Sequence, residues 1–209
     1  RRPEASVPRH RDARSAEQSA AMAAAPEEPN DRWTITFRAL SAFGPEAVCA
    51  LLEDAQFDAE ALKRRAPRQL CSRGDTLLTR AARLGNMAAA QQLLKLGADL
   101  EWPTGETDLS PLQVACHCGH DRLVTFFLGR GASISRRNNR GLSAVSTAVH
   151  TPNVKCLDVL AKHGADLRSR GLARGNTLAQ SAASRGNVAA LQYLAQKGVN
   201  LFERDYRGS

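Results

Sequence analysis

The chain has 209 residues, with 29 Lys and Arg against 21 Asp and Glu, so a formal charge of +8 draws attention to acidic or nucleic-acid partners. It is long enough for one domain or a stacked array with a real core, and no apolar run approaches the ~20 residues of a membrane-crossing helix. Aromatics make up only 5% and alanine, leucine and arginine abound, which favours helices over strands. The cysteines (Cys49, Cys71, Cys116, Cys118, Cys156) are odd in number with no secretory signal before them. They point to a reducing, intracellular setting, whether cytoplasm, nucleus or organelle.

Residues 1–31 are rich in Arg, Ala, Pro, Glu and Ser without an apolar period, and are expected to be a disordered tail. Within them "MAAAPEEP" from Met22 has the form of a translation start, so residues 1–21 read either as untranslated sequence or as a trimmed targeting peptide. Glu4, Asp12 and Glu17 argue against the latter. Residues 32–73 carry two apolar helical patterns, Ile35–Phe43 and Pro45–Asp54, with Pro45 suited to a first turn. They are expected to form a degenerate capping repeat that shields one end of the core, joined by "APRQLCSRGDT" to the rest of the chain.

From Thr76 the chain repeats. "TLLTRAARLGNMAAAQQLLKLGADL" at Thr76, "SPLQVACHCGHDRLVTFFLGRGASI" at Ser110, "SAVSTAVHTPNVKCLDVLAKHGADL" at Ser143 and "TLAQSAASRGNVAALQYLAQKGVNL" at Thr177 align without gaps. Each opens on a hydroxyl residue able to cap a helix N-terminus. Small residues come next in mid-helix: Ala81-Ala82, Ala115-Cys116, Ala148-Val149 and Ala182-Ala183. Gly85, Gly119 and Gly186 stand where a left-handed residue would end that helix. A second helix carries apolar positions such as Leu93-Leu94, Phe127-Leu128, and Leu157 with Leu160. Gly97, Gly131, Gly164 and Gly198 close the units. The expected units are 74–104, 105–137, 138–170 and 171–204, with 205–209 beginning a further one. Gly208 matches the glycine two places before Thr177, so more repeats or another domain are expected beyond Ser209.

This unit resembles the ankyrin repeat, about 33 residues long with a T-P-L-H-x-A signature. "SPLQVA" at Ser110 is the nearest match, and "GADL", "GASI" and "GVNL" resemble the family's end-of-unit pattern. The resemblance implies an all-α solenoid of stacked helix-turn-helix units with protruding fingers. The metal-like string "CHCGH" (Cys116–His120) then becomes ordinary repeat sequence. Cys116 fills a small-residue position, and Gly119-His120 is the family's Gly-His between helices. Two cysteines two apart on a helix also point about 160° apart, unlike a zinc loop. No metal or cofactor is expected.

The third unit has Pro152 in place of the glycine, so its first helix is expected to end one residue early. No phosphate-binding glycine loop, nucleophile elbow or HExxH pattern is present. The resemblance implies a monomeric, non-enzymatic scaffold or adaptor that binds a protein through a concave face of finger tips and first helices. Transferred by phase, the candidate contacts are Trp102, Glu106 and Asp108 in an acidic first finger, with Trp102 taken as exposed. They continue with Arg136, Arg137 and Arg140, then Arg168, Arg170 and Arg174, and Arg207 in the last finger. Arg80, Arg83, His117, His150 and Arg185 join them from the first helices. The basic fingers imply a partner with an acidic segment. Two other readings are a targeting domain of an enzyme whose catalytic part lies beyond this chain, and nucleic-acid binding through the basic fingers.

Overall fold

The computed structural model describes residues 32–43, 48, 51–52, 59–66, 71, 73–170 and 175–203. The expected tail, most of the Pro45–Asp54 helix, and the fingers at Arg174 and Arg207 lie outside the described residues. Among the described residues there are ten helices and no strand. They are α1 (Arg32–Ala42), α2 (Ala59–Lys63), α3 (Leu77–Leu84), α4 (Met87–Lys95), α5 (Pro111–Cys118), α6 (Asp121–Gly129), α7 (Ala144–Ala148), α8 (Val154–Lys162), α9 (Leu178–Ser184) and α10 (Val188–Gln196).

Every first helix of the repeat starts on its hydroxyl residue. The side chains of Thr76, Ser110, Ser143 and Thr177 accept the backbone N–H three residues on. In three of them the side chain at that third position bonds back, completing a capping box: Thr79, Gln113 and Gln180. Gln113 does more, donating from Nε2 to the carbonyls of Arg136 (3.0 Å) and Leu142 (2.8 Å), so one cap also ties down the next finger.

The first helices line up in one layer, α1 on α3, α3 on α5, α5 on α7 and α7 on α9. Each carries its own second helix behind it, as α4 behind α3, α6 behind α5, α8 behind α7 and α10 behind α9. Ala81, Ala82, Ala115, Cys116, Ala148, Val149 and Ala182 are all fully buried in the first layer, where larger side chains would hold the helices apart. The second helices supply bulk to the same core: Leu93, Phe127, Leu157, Leu160 and Leu194 are fully buried. Each such side chain contributes about 1.5–3 kcal/mol on burial.

The junction between the two helices of a repeat locks it to the repeat before. Asn153 accepts the N–H of Lys155 and donates to the Gly119 carbonyl at 2.7 Å. Asn187 accepts the N–H of Ala190 and donates to the carbonyls of Val149 (2.7 Å) and Thr151 (2.6 Å). At the same phase His120 makes no forward cap, and its ring Nε2 lies 3.0 Å from the Arg83 carbonyl. The ring needs Gly85 beneath it. Gly85 sits at φ +70°, and a Cβ there would come within 2.7 Å of the imidazole.

Two local expectations change. Helix α1 begins at Arg32 rather than Ile35, because Trp33 is buried and stacks on Phe37 one turn later, with ring centroids 5.1 Å apart. Helix α7 ends at Ala148, three residues before Thr151, which matches the last helical residues Leu84 and Cys118 of earlier copies. Pro152 disfavours helical backbone at Thr151, and the chain leaves the helix sooner than one residue early. The finger ahead of Ser110 is also one residue longer than that ahead of Ser143, and in it Asp108 takes a left-handed φ of 52°.

Replacing Asn187 with Ala strands two carbonyls and removes a cap, and is expected to cost about 2–3 kcal/mol. Asn86→Ala, which removes a single cap to Ala89, is expected to cost about 1 kcal/mol. The urea midpoints of the two variants check the order.

Candidate functional site

The fingers are built to the same local rule. Asp99, Asp166 and Asn200, two residues past the closing glycine, each accept the backbone N–H two residues on, at 2.8, 2.8 and 3.0 Å, and so turn the chain outward. Adjacent fingers then run side by side. The N–H of Gly105 donates to the Gly74 carbonyl at 2.9 Å, and Asn139 Nδ2 donates to the Glu106 carbonyl at 3.1 Å.

That closeness decides what the finger charges do. Arg136 donates to the Glu101 carbonyl (2.9 Å) and the Asp108 carboxylate (3.4 Å), while the Glu101 carboxylate takes the N–H of Ser133 at 2.7 Å. Arg137 reaches the carbonyls of Gly141 and Arg170, both at 2.8 Å. Arg170 donates to the Glu203 carboxylate. The expectation of an acidic pole and a separate basic pole is therefore corrected: opposite charges on neighbouring fingers face one another and pair. Trp102 is corrected too. It is half-buried, with Lys63 Nζ 5.3 Å and the Arg65 guanidinium 5.8 Å from its ring centroid. Among the described finger residues the bare aromatic ring is Phe202, 91% exposed. Arg140, Arg168 and Glu106 are exposed.

On the first-helix layer, Arg83 forms two hydrogen bonds with Asp75, at 2.8 and 2.7 Å. Asp75 is fully buried and also meets Cys71 Sγ (3.5 Å) and Arg80 (4.0 Å). Burial alone would lower the Arg83 pKa, but the hydrogen bonds and charge of Asp75 outweigh it and raise it. Arg80 spans from this group to α1, donating to Ser41 Oγ at 2.6 and 3.0 Å with its guanidinium 5.3 Å from the Phe37 ring centroid. His117 and His150, one and two repeats on from Arg83 at the same phase, are both held below the usual histidine range. Desolvation is the first cause for each. Arg83, Arg73 and Arg185 add to it at His117, and Arg185 and His117 at His150.

Sequence reasoning missed Asp75 and Arg73. Asp75 had a signal: it precedes the cap where the second and third copies have Leu109 and Leu142 and the fourth has Asn176, and an acid where two copies are apolar needs a buried partner. Cys116 is buried in the core and Cys118 half-buried on the helix flank. Desolvation raises the thiols of Cys116, Cys118 and Cys156, the last to about 11, so they stay protonated. Among the described residues no three His, Cys, Asp or Glu side chains converge as metal ligands would, and no helix is long and apolar enough to cross a membrane.

Stacked helix pairs with capped first helices, small interlayer residues and projecting fingers define a helical repeat solenoid. The family model for ankyrin repeats (3 copies) matches residues 36–138 and 112–205, and the chain belongs to the ankyrin repeat family. It is 28% identical over 180 residues, 85% of its length, to an ankyrin repeat and KH domain-containing protein of Caenorhabditis briggsae. It is 29% identical over 134 residues, 64% of its length, to a transient receptor potential cation channel subfamily A member 1 homolog of Caenorhabditis elegans. Ankyrin repeat and SOCS box protein 18 of Homo sapiens is 40% identical over 63 residues, 30% of the chain. The chain spans only 7%, 11% and 14% of the length of these three relatives, in that order. Ankyrin repeats are generally protein–protein interaction modules.

Asp75→Asn leaves Arg83 without its counter-charge and is expected to cost about 3 kcal/mol, the low end for a broken buried pair because Arg83 is the less buried partner. Equilibrium unfolding measures it. Because His117 and His150 bind protons less readily folded than unfolded, the unfolded state holds more protons as pH falls below about 6.5. Stability is therefore expected to drop through that window and level off once the folded-state imidazoles protonate. The double variant His117→Gln with His150→Gln should lose less stability than the parent between pH 7.5 and 5, measured by denaturant midpoint at each pH.

Proposed function

We propose that this chain is a non-enzymatic scaffold or adaptor module that binds a partner protein with an acidic segment, through the finger tips and the exposed side of the first helices. The reading rests on how folding divides the finger arginines. Arg136, Arg137 and Arg170 are held by carboxylates and carbonyls of neighbouring fingers. Arg140 and Arg168, on successive fingers, are exposed, and no side-chain partner for them stands among the described residues. A guanidinium presents a planar fork of donors matched to a carboxylate. A partner can take these two without breaking an internal bond, whereas engaging Arg136 or Arg170 means undoing one.

The neighbouring carboxylates fit this division. Asp99 and Asp166 accept backbone N–H groups and start their fingers, and Glu101 and Asp108 are matched by Arg136. Among the described finger arginines, those left exposed are Arg140 and Arg168. Two exposed charges give modest affinity by themselves but steer encounter and fix register.

The test uses Arg140→Glu with Arg168→Glu in the full chain. Partners captured by the parent protein and identified by mass spectrometry are expected to bind the variant about tenfold more weakly, with thermal stability unchanged. Equal capture of every partner by the folded variant would remove the finger tips from the site.

A further inference from the structure

The early end of α7 reshapes the surface beside it. After Ala148 the chain turns out of the helix, and Asn187 of the next repeat reaches across to take the carbonyls of Val149 and Thr151. Between the third and fourth repeats this leaves a recess whose walls include His150, Pro152, Arg185, Asn187 and Val188. One wall is an imidazole beside an exposed guanidinium. Another is apolar, the Val188 side chain being 60% exposed. At the regular glycine turn of the second repeat, Asn153 packs against Gly119, 3.4 Å from where a Cβ would sit.

The recess continues a one-signed face. The groups acting electrostatically on His117 are Arg83, Arg73 and Arg185, and those acting on His150 are Arg185 and His117. Among the described residues no carboxylate acts on either ring. Asp75, the acid nearest this row, is fully buried and matched by Arg83 with Arg80 beside it. Arg73 and Arg185 are exposed, as is His117.

We propose that the face formed by Arg73, Arg83, His117, His150 and Arg185 docks an acidic peptide segment, with one carboxylate in the recess against His150 and Arg185 and an adjoining apolar side chain over Val188, and that docking takes up protons. This rests on the reading of the chain as an interaction module and names the chemistry of one partner segment. Charge complementarity selects the occupant: the described groups acting on the two imidazoles are guanidiniums and each other, which suits a carboxylate. The apolar wall and the absence of an aromatic ring from the recess lining favour a peptide over a nucleic-acid strand, which would need a ring for its bases to stack on.

Proton uptake follows from the field at the two imidazoles. Unbound, they lie among positive charges and remain largely neutral near pH 7. A bound carboxylate reverses the sign of the nearest charge and favours the imidazolium. Each proton taken up makes affinity rise as pH falls, by up to about tenfold per pH unit, until the unbound rings protonate as well.

The experiment measures fluorescence anisotropy of a labelled heptapeptide of glutamates and leucines on the full chain at pH 7.5, 6.5 and 5.5. Controls are the same peptide with glutamine for glutamate, and an oligothymidylate of ten nucleotides. Affinity for the glutamate peptide is expected to rise at least about fivefold from pH 7.5 to 5.5. Arg185→Gln should weaken binding at every pH. His117→Gln with His150→Gln should abolish the pH dependence. Titration calorimetry of the parent chain in buffers of different ionisation enthalpy reads proton uptake directly and does not depend on the variants folding. Binding no tighter than the glutamine control, zero proton uptake, or tighter binding of the oligothymidylate would each overturn the proposal. Those outcomes leave the finger-tip reading intact, since Arg140 and Arg168 lie outside this face and are tested separately.

Discussion

The structure depends on how closely one first helix approaches the next. Alanines, a cysteine and a valine occupy the layer between α3, α5, α7 and α9, and their small volume sets the spacing of the repeats. At that spacing the junction side chains His120, Asn153 and Asn187 reach the last carbonyls of the preceding first helix. Those carbonyls have no partner within their own helix. The array is thus held by two coupled terms. Apolar burial draws the helices together without direction, and the directional polar contacts of one side chain per junction fix how far each repeat is rotated and slid against its neighbour. A bulky residue in the layer would weaken both at once.

The same spacing governs the electrostatics. Fingers one repeat apart are near enough for arginine side chains to cross between them, so unlike charges that are distant in sequence become neighbours. Arg136 with Glu101 and Asp108, and Arg170 with Glu203, are the result. These pairs are half-exposed, and their value lies more in aligning fingers than in raw stability. What is left over is informative. Among the described residues, exposed positive charge remains at Arg140 and Arg168 in the fingers, at Arg73 ahead of the first cap, and at Arg185 at the end of α9.

The third repeat shows how an irregular unit is accommodated. Pro152 removes the left-handed glycine turn and shortens α7, and it has no N–H to give the Val149 carbonyl as Gly85 and Gly119 give theirs to Ala82 and Cys116, so the carbonyls of Val149 and Thr151 look outside their own repeat. Asn187 satisfies them from the next repeat, so the irregularity is absorbed by a neighbour rather than by water. The backbone rearrangement also opens a concavity lined by His150, Arg185 and Val188. A local breach of the repeat rule and a chemically distinct surface therefore have one origin.

The sequence by itself determined the repeat, its phase and its helix starts. Those depend on local chemistry: a hydroxyl that caps the helix it begins, a glycine that tolerates positive φ, and apolar residues at helical spacing. Each can be read within about a dozen residues. It also pointed to the right irregularity at Pro152, though not to how much of α7 would be lost, since that depended on Asn187 being in place to receive the freed carbonyls. The finger arginines were visible as charges but not as partners. Whether Arg136 or Trp102 faces solvent is decided by groups some 30 to 40 residues away, Glu101, Lys63 and Arg65, which only the stacking brings near. The buried Asp75–Arg83 pair shows the same limit in reverse. Its residues are close in sequence, but its burial, and so its energetic weight, comes from the repeats packed against it.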